Sequence, residues 1–487
     1  MFKRVLIANR GEIALRIIRT LRVLGIESVV IYSDIDKNLP FVKYADYSEN
    51  IGEPLAYLNI EKIIDIAKKF NVDAIHPGYG FLSENSKFAK IVEENGIKFI
   101  GPSYKAIELL GDKANAKKIA KNLGVPIAES SPDLRELGEI KNYIKKIGIP
   151  VLLKASAGGG GKGMKKITSF ENLDEIILSA QREAINNFSD DRIIVEKYIY
   201  PARHIEVQII ADNYGNVFVF GERECSIQRR HQKIIEEALS PALNDDERRK
   251  LYEYSKKIIK HANYTNAGTV EFLYSNGEFY FLEVNSRIQV EHPVSEMISG
   301  YDLIALQILV SEGKKLNINQ EDIKFRGHSI EARLYAEDPL NNFFPQTGKI
   351  EKIDYPIIPN VRIDYGYISG NEISPFYDPM IAKFISYGEN REVARKRLIQ
   401  ALKETIYLGP INNLEFLIFI LESKDFIEGQ TYTHTVENLL KNFSLIDRKL
   451  PNEIVEFLSK EFLLTSKTTK TKNQINILDN IKPKIYP

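Results

Sequence analysis

Apolar and polar positions give the first outline of the chain. Residues 5–8 form a short apolar run, and Asn9-Arg10-Gly11 reads as a turn. Apolar residues then return at helical spacing over residues 12–24, and Gly25 closes the pattern. Residues 27–32 make the next strand, so the chain opens as a strand–helix–strand unit and predicts a parallel sheet. A second such unit ends in Ala74-Ile75-His76-Pro77-Gly78-Tyr79-Gly80, and a third strand over 97–100 closes at Gly101-Pro102. His76, at a strand end before proline, reads as a structural loop histidine. The first domain is expected to end near Gly111-Asp112-Lys113. Helices are expected over 116–123, 247–262, 302–311, 392–407 and 413–421, and strands over 149–154, 193–198, 204–210 and 327–334. Residues 130–138 read as a linker, 350–387 as short β runs broken by Pro and Gly, and 465–474 as a polar, basic tail.

Residues 268–293 combine two β-rich runs around an Asn276-Gly277 turn signal, with Glu271 on one run and Glu283 on the other. Asn285, Arg287, Gln289 and Glu291 follow at every second position, so an extended chain would aim them with Glu283 to one side. Acids beside an amide suit a hard cation such as Mg²⁺, and an arginine beyond them suits an anion. The same alternation also describes a half-solvated edge strand. The cation reading carries a geometric condition. With a plain two-residue turn Glu271 and Glu283 face opposite ways; an odd loop or a bulge puts them on one face.

Lys154 ends one strand and runs into five glycines within the six positions 158–163, before residues 165–168 turn β-like again. Glycines at that density cost conformational entropy unless the backbone must approach something closely, and backbone N–H groups cradle phosphate. No Walker A spacing and no G-x-G-x-x-G occur, so a strand–glycine loop–strand lid over phosphates is expected and a dinucleotide site is not. Glu196 and Lys197 close a strand that could read a nucleotide base. Residues 222–237 are densely charged, which reads equally as a solvated face or, through Arg229, Arg230, His231 and Lys233, as an anion pocket.

Composition narrows the classes. Lys+Arg and Asp+Glu are 66 each, which argues against a nucleic-acid partner. Cys225 is the one cysteine, so neither an intrachain disulfide nor a cysteine zinc site is expected, and it reads as a small buried residue. The apolar run near the start is too short for a signal core, and 416–421, the longest, is far short of a membrane span. A cytoplasmic protein with no membrane partner is therefore expected. The seven histidines show no metal-type spacing.

The runs ANRGEIALRIIR, HPGYGFLSEN, GDK, KASAGGGGKGM, EKY, RRHQK, EVNSRIQVEHPVSEM and GHSIEARLYAEDP, spread over residues 1–443, resemble the biotin carboxylase subunit or domain of biotin-dependent carboxylases. The resemblance implies a mixed α/β ATP-grasp fold with a Rossmann-like N-terminal domain (1–113), an ATP-grasp domain (114–327, with a mobile lid at about 130–202), a β-rich, barrel-like C-terminal domain (328–443) and a tail (444–487). It implies ATP phosphates at Lys113 and Lys154 under Gly160 and Gly161. The base would lie at Glu196, Lys197, Tyr198 and Ile199, with His204 and His231 near the nucleotide. Glu271, Glu283 and Asn285 would hold two Mg²⁺ or Mn²⁺ ions. Lys233, Arg287, Gln289 and Val290 would bind bicarbonate, Glu291 would be the general base, and Arg333 would contact biotin and its enolate. The implied reaction carboxylates biotin through carboxyphosphate.

Leu239 stands where the family usually has proline, and Lys162 where arginine is also common. No Ala-Met-Lys-Met biotinyl motif occurs, so biotin is expected on a separate carrier protein and the second half-reaction on a carboxyltransferase subunit. A homodimer is also expected. The final acceptor stays open among pyruvate, acetyl-CoA or propionyl-CoA, and a 2-oxo acid. Two rival readings remain. Another ATP-grasp ligase, of carbamoyl-phosphate or purine-pathway type, would share the lysines and acids but not RRHQK or RIQVEHP with Arg333. A non-enzymatic ATP-binding regulatory subunit would be free to lose the acids.

Overall fold

The structure is a computed structural model and describes residues 1–156, 164–188, 190–230 and 232–444. Gly160, Gly161, His231, the 465–474 stretch and the tail after residue 444 lie outside these.

The N-terminal βα units build the parallel sheet that their spacing predicts. Its strands are β1 (Arg4–Ile7), β2 (Glu27–Ser33), β3 (Tyr47–Gly52), β4 (Ala74–His76) and β5 (Lys98–Phe99), in the order β3-β2-β1-β4-β5. Helix α1 (Gly11–Val23) packs its buried face, Ile13, Leu15, Ile17 and Leu21, against the sheet and the rest of the molecule. His76 is fully buried, and its Nδ1 accepts the Gly78 N–H at 3.0 Å; burial pushes its pKa down to about 3, which suits the structural role.

Three antiparallel strands, β6 (Val151–Ala155), β7 (Met164–Ile167) and β8 (Ile193–Lys197), form a small sheet in the order β7-β6-β8. Strands β6 and β7 are the two arms of a hairpin, as the glycine pattern implied. Residues 130–138 are not a free linker. Ser130 bridges Glu196, Leu134 bridges Ile193, and a helix begins at Leu137. Chain polarity hid this because the pairing is to a strand some sixty residues away.

The centre is an eight-stranded antiparallel sheet. Its strands are β9 (Arg203–Ala211), β10 (Val217–Arg229), β11 (Gln232–Ala238), β12 (Asn266–Ser275), β13 (Glu278–Asn285), β14 (His328–Tyr335), β15 (Val361–Tyr365) and β16 (Met380–Gly388), in the order β13-β12-β9-β10-β11-β14-β16-β15. The run over 222–237 is therefore not a solvated face: Glu222, Arg223, Glu224, Glu236 and Glu237 are all buried in β10 and β11.

The register lines up charge across this sheet. Directly paired residues are Glu283–Glu271, Glu271–Glu206, Glu206–Arg223, Glu236–Glu331, Arg333–Lys383 and Lys383–Asp364. Paired residues share a face, so a strip of charged side chains crosses the sheet almost strand by strand. Two helices cap the region: α2 (His292–Ser299) and α3 (Thr435–Leu440). Among the described residues no single helix is long and apolar enough to cross a membrane.

Candidate functional site

The charged strip faces a cleft of about 1680 Å³ lined from all three parts of the chain. Every described residue to which the resemblance gives a site role lines it: Lys113, Lys154, Glu196, Lys197, Tyr198, Ile199, His204, Lys233, Glu271, Glu283, Asn285, Arg287, Gln289, Val290, Glu291 and Arg333. Of the two arginines that the charged run offered to an anion pocket, Arg230 lines the cleft, whereas Arg229 pairs with Glu337 instead.

The acidic pair meets its geometric condition by the second route. The turn has two residues, with Ser275 opposite Glu278 and both Asn276 and Gly277 at positive φ, so no odd loop exists. A register shift at Leu282 supplies the extra residue instead: Phe272 pairs with Phe281, and Glu271 pairs with Glu283. The bulge returns Glu283 to the cleft face. Two carboxylates directly opposed, with Asn285 two residues on, form an oxygen-rich set that fits a hard divalent cation. Each is paired with an ammonium group, Glu283 with Lys113 and Glu271 with Lys233.

The expected alternation ends at Asn285, because β13 stops there and residues 286–291 are irregular before α2. Hydrogen bonds gather these side chains instead. Asn285 Nδ2 and Gln289 Nε2 donate to Glu271 Oε1 at 2.8 and 3.0 Å. Arg287 donates to Gln289 Oε1 at 2.9 Å, to Asn285 Oδ1 at 3.0 Å and to Glu84 Oε2 at 2.8 Å.

Lys233 is the hub. Its Nζ contacts Glu271 Oε1 at 2.9 Å and Glu291 Oε1 at 2.7 Å, and it also bonds Glu206. Burial alone would lower the lysine; the three carboxylates outweigh it and hold the ammonium well above its usual range. Burial would likewise raise Glu271 and Glu291. Lys233 and His204 hold Glu271 well below the carboxylate range, and Lys233, Arg333 and Arg223 do the same for Glu291. Arg333 Nη2 reaches Glu291 Oε2 at 2.9 Å and also pairs with Glu236.

At the other end of the cleft, Lys154 Nζ donates to Glu196 Oε1 at 2.5 Å, and Lys117 takes the other carboxylate oxygen. Burial, with Lys117 nearby, lowers the Lys154 pKa against the pull of Glu196. Lys197 lines the cleft, but its ammonium donates to the Gly148 carbonyl at 2.9 Å. His204 Nε2 lies 2.9 Å from Glu271 Oε2.

Several residues in the cleft or buried beneath it escaped the sequence. Glu206 and Arg223 sit in strands whose polarity pointed outward, yet both are fully buried and bonded at 2.5 Å. Lys117 lies in a helix with an ordinary surface pattern. Glu12 comes from α1 and Tyr79 from the loop after β4, and His434 and Glu437 from the end of the described chain at α3. Only the fold brings them in. Cys225 is buried with its thiol pushed up by burial, as a small structural residue should be.

Three family models match along the chain: biotin carboxylase, N-terminal domain, over residues 1–107; carbamoyl-phosphate synthase L chain, ATP binding domain, over 112–319; and biotin carboxylase C-terminal domain over 331–438. A pyruvate carboxylase subunit from Methanothermobacter thermautotrophicus is 45% identical over 474 residues, 96% of each chain. The biotin carboxylase of Haemophilus influenzae is 45% identical over 445 residues, 90% of this chain and 99% of that protein. Among solved structures, the biotin carboxylase domain dimer of Hydrogenobacter thermophilus 2-oxoglutarate carboxylase, with MgADP, ADP and bicarbonate, superposes with a TM-score of 0.87. It is 45% identical, covering 91% of this chain and all of that one. The carbamoyl-phosphate model spans only the central module, whereas both flanking modules and the whole-length relatives agree. The chain belongs to the biotin carboxylase family, ATP-dependent ligases of the ATP-grasp type.

Proposed function

We propose that this chain carboxylates biotin with bicarbonate at the expense of ATP, with Lys233 at the centre of the reaction. The observation that carries this is the Lys233 hub: one buried ammonium held among Glu206, Glu271 and Glu291, flanked by Arg333 and by the Arg287 loop.

The nucleotide phosphates lie at Lys113 and Lys154, and the base lies along Glu196 to Ile199, with His204 close by. Glu271, Glu283 and Asn285 would hold the divalent cations, which offset charge on the transferring phosphoryl group when bound. Lys233, Arg287, Gln289 and Val290 hold bicarbonate. Its oxygen attacks the γ-phosphorus, the bond to the bridging oxygen breaks, and ADP leaves with carboxyphosphate formed. Glu291 is ionised and takes the bicarbonate proton. The anion draws the Lys233 ammonium from Glu291, which makes that carboxylate a better acceptor. Carboxyphosphate decomposes to CO₂ and phosphate. The phosphate removes the ureido proton of biotin, and the nitrogen attacks CO₂. Arg333 and Arg287 stabilise the enolate oxygen.

The division at 1–113, 114–327 and 328–443, with the lid at about 130–202, is the domain reading this mechanism uses. Biotin arrives on a separate carrier protein, the product goes to a carboxyltransferase subunit, and two copies of the chain form a homodimer. The relatives support this arrangement: one is a subunit of pyruvate carboxylase and another a dimer of a carboxylase domain.

The direct test is phosphate release from ATP with Mg²⁺ and bicarbonate, with and without free biotin. The expected result is bicarbonate-dependent cleavage stimulated by biotin. Cleavage that needs bicarbonate but ignores both biotin and a biotinylated carrier would overturn the reading.

A further inference from the structure

Lys383 lies in the middle of β16 and exposes no surface. An ammonium shut away from water needs bonded partners. Its Nζ donates to the Val290 carbonyl at 2.8 Å and pairs with Glu12 Oε2 at 3.2 Å. Glu12 accepts from the Tyr79 hydroxyl. Glu12, Tyr79 and Val290 all line the cleft, although Lys383 does not. One side chain thus joins the last part of the chain to α1 and to the irregular connection 286–291.

The Val290 carbonyl belongs to the peptide plane that leads into Glu291. Holding that plane places the Cα atoms of Val290 and Glu291 and restrains ψ of Val290 and φ of Glu291. Among the described residues the Val290 N–H has no protein acceptor, so the amide is available to a ligand. The side chains of 285–291 hold one another, but Lys383 is the contact that ties the backbone at Val290 to the central sheet. A lysine serving only to neutralise Glu12 would need no carbonyl from this loop.

We propose that Lys383 is a positioning residue for the bicarbonate step: its ammonium holds the Val290–Glu291 peptide so that the Val290 amide and the Glu291 carboxylate meet the anion together. The inference rests on the placement of bicarbonate at Lys233, Gln289 and Val290 given above.

The test compares Lys383→Met with the double variant Glu12→Gln/Lys383→Met, which also neutralises the carboxylate that Lys383 pairs with. The readouts are the KM for bicarbonate and kcat in the phosphate-release assay, and MgATP affinity by calorimetry. Misplacing one reacting group should raise the bicarbonate KM and lower kcat, about 10- to 100-fold in kcat/KM, with nucleotide affinity unchanged. Three results overturn the inference: a folded variant with unchanged bicarbonate kinetics, an equal loss of nucleotide affinity, or failure of both variants to fold, which would make Lys383 a folding determinant. Lys233→Met separates this from the reading beneath it. If that variant keeps the parent's bicarbonate KM, the anion site is misplaced. If it loses bicarbonate dependence while Lys383→Met does not, only the inference on Lys383 fails.

Discussion

Arg287 illustrates how one side chain serves two ends in this cleft. It braces Gln289 and Asn285, and it is itself braced by Glu84 from the connection after β4. Its assigned partner, the oxygen of the biotin enolate, carries full charge only during reaction, so its loss should weigh on the transition state. Arg287→Ala is expected to lower kcat for biotin carboxylation by about 100-fold while leaving MgATP affinity nearly intact, as steady-state kinetics and calorimetry would show. An equal fall in nucleotide affinity would remove that role. The alternation from Glu283 to Glu291 made Arg287 legible, though for a reason that holds only as far as Asn285. Glu206 and Lys117 were not legible, because a carboxylate in a mixed strand and a lysine in a helix look the same whether they face water or a cleft.

Strands and turns are where the pattern was both most useful and most misleading. Period-two and helical spacing located β1, β2, α1 and the glycine hairpin, since each is set by local burial. The stretch 222–237 stayed open between a solvated face and an anion pocket because its charges are neutralised across strands, which the local pattern does not show. Glu237 in β11 shows the mechanism: it accepts from His328 at the start of β14 and from Arg391 of the helix Arg391–Glu404, at 2.7 and 2.6 Å. Burial would raise its pKa, but His328 and Arg391 bring it down to about 2 from 4.5. The folded value is depressed, so the stabilisation is present above about pH 4.5 and is lost as pH falls towards 2. It amounts to about 3 kcal/mol when complete. Glu237→Gln should therefore lower the urea midpoint clearly at pH 6, and its difference from the parent should shrink by pH 3.5. A difference that is constant with pH would refute the ionised pairing.

Taken whole, the molecule is joined by buried ion pairs between distant segments. Arg16 of α1 reaches Glu296 of α2 at 2.9 Å and Asp302 at 2.8 Å, and Arg362 of β15 reaches the second oxygen of Glu296 at 2.7 Å. Removing one partner of a buried pair costs more than the pair contributes, because the remaining charge stays desolvated. Arg16→Met is expected to cost about 3 kcal/mol in urea unfolding, at the low end for such changes because Arg362 still holds Glu296. A cost below about 1 kcal/mol would make the joint a surface-like pair. None of this long-range order could be read along the chain, where the partners stand from 66 to 286 positions apart. The strip across the central sheet has one more consequence, for the gene rather than the protein. It depends on the two-residue pleat together with fixed register shifts between β9 and β10, β10 and β11, β12 and β13, and β14 and β16, and the shift in β13 brings Glu283 into line. A single codon gained or lost within β9 to β14 turns the rest of that strand over and exchanges carboxylates for aliphatic side chains in the cleft. Natural length variation should therefore collect between these strands, and changes within them should come as substitutions alone.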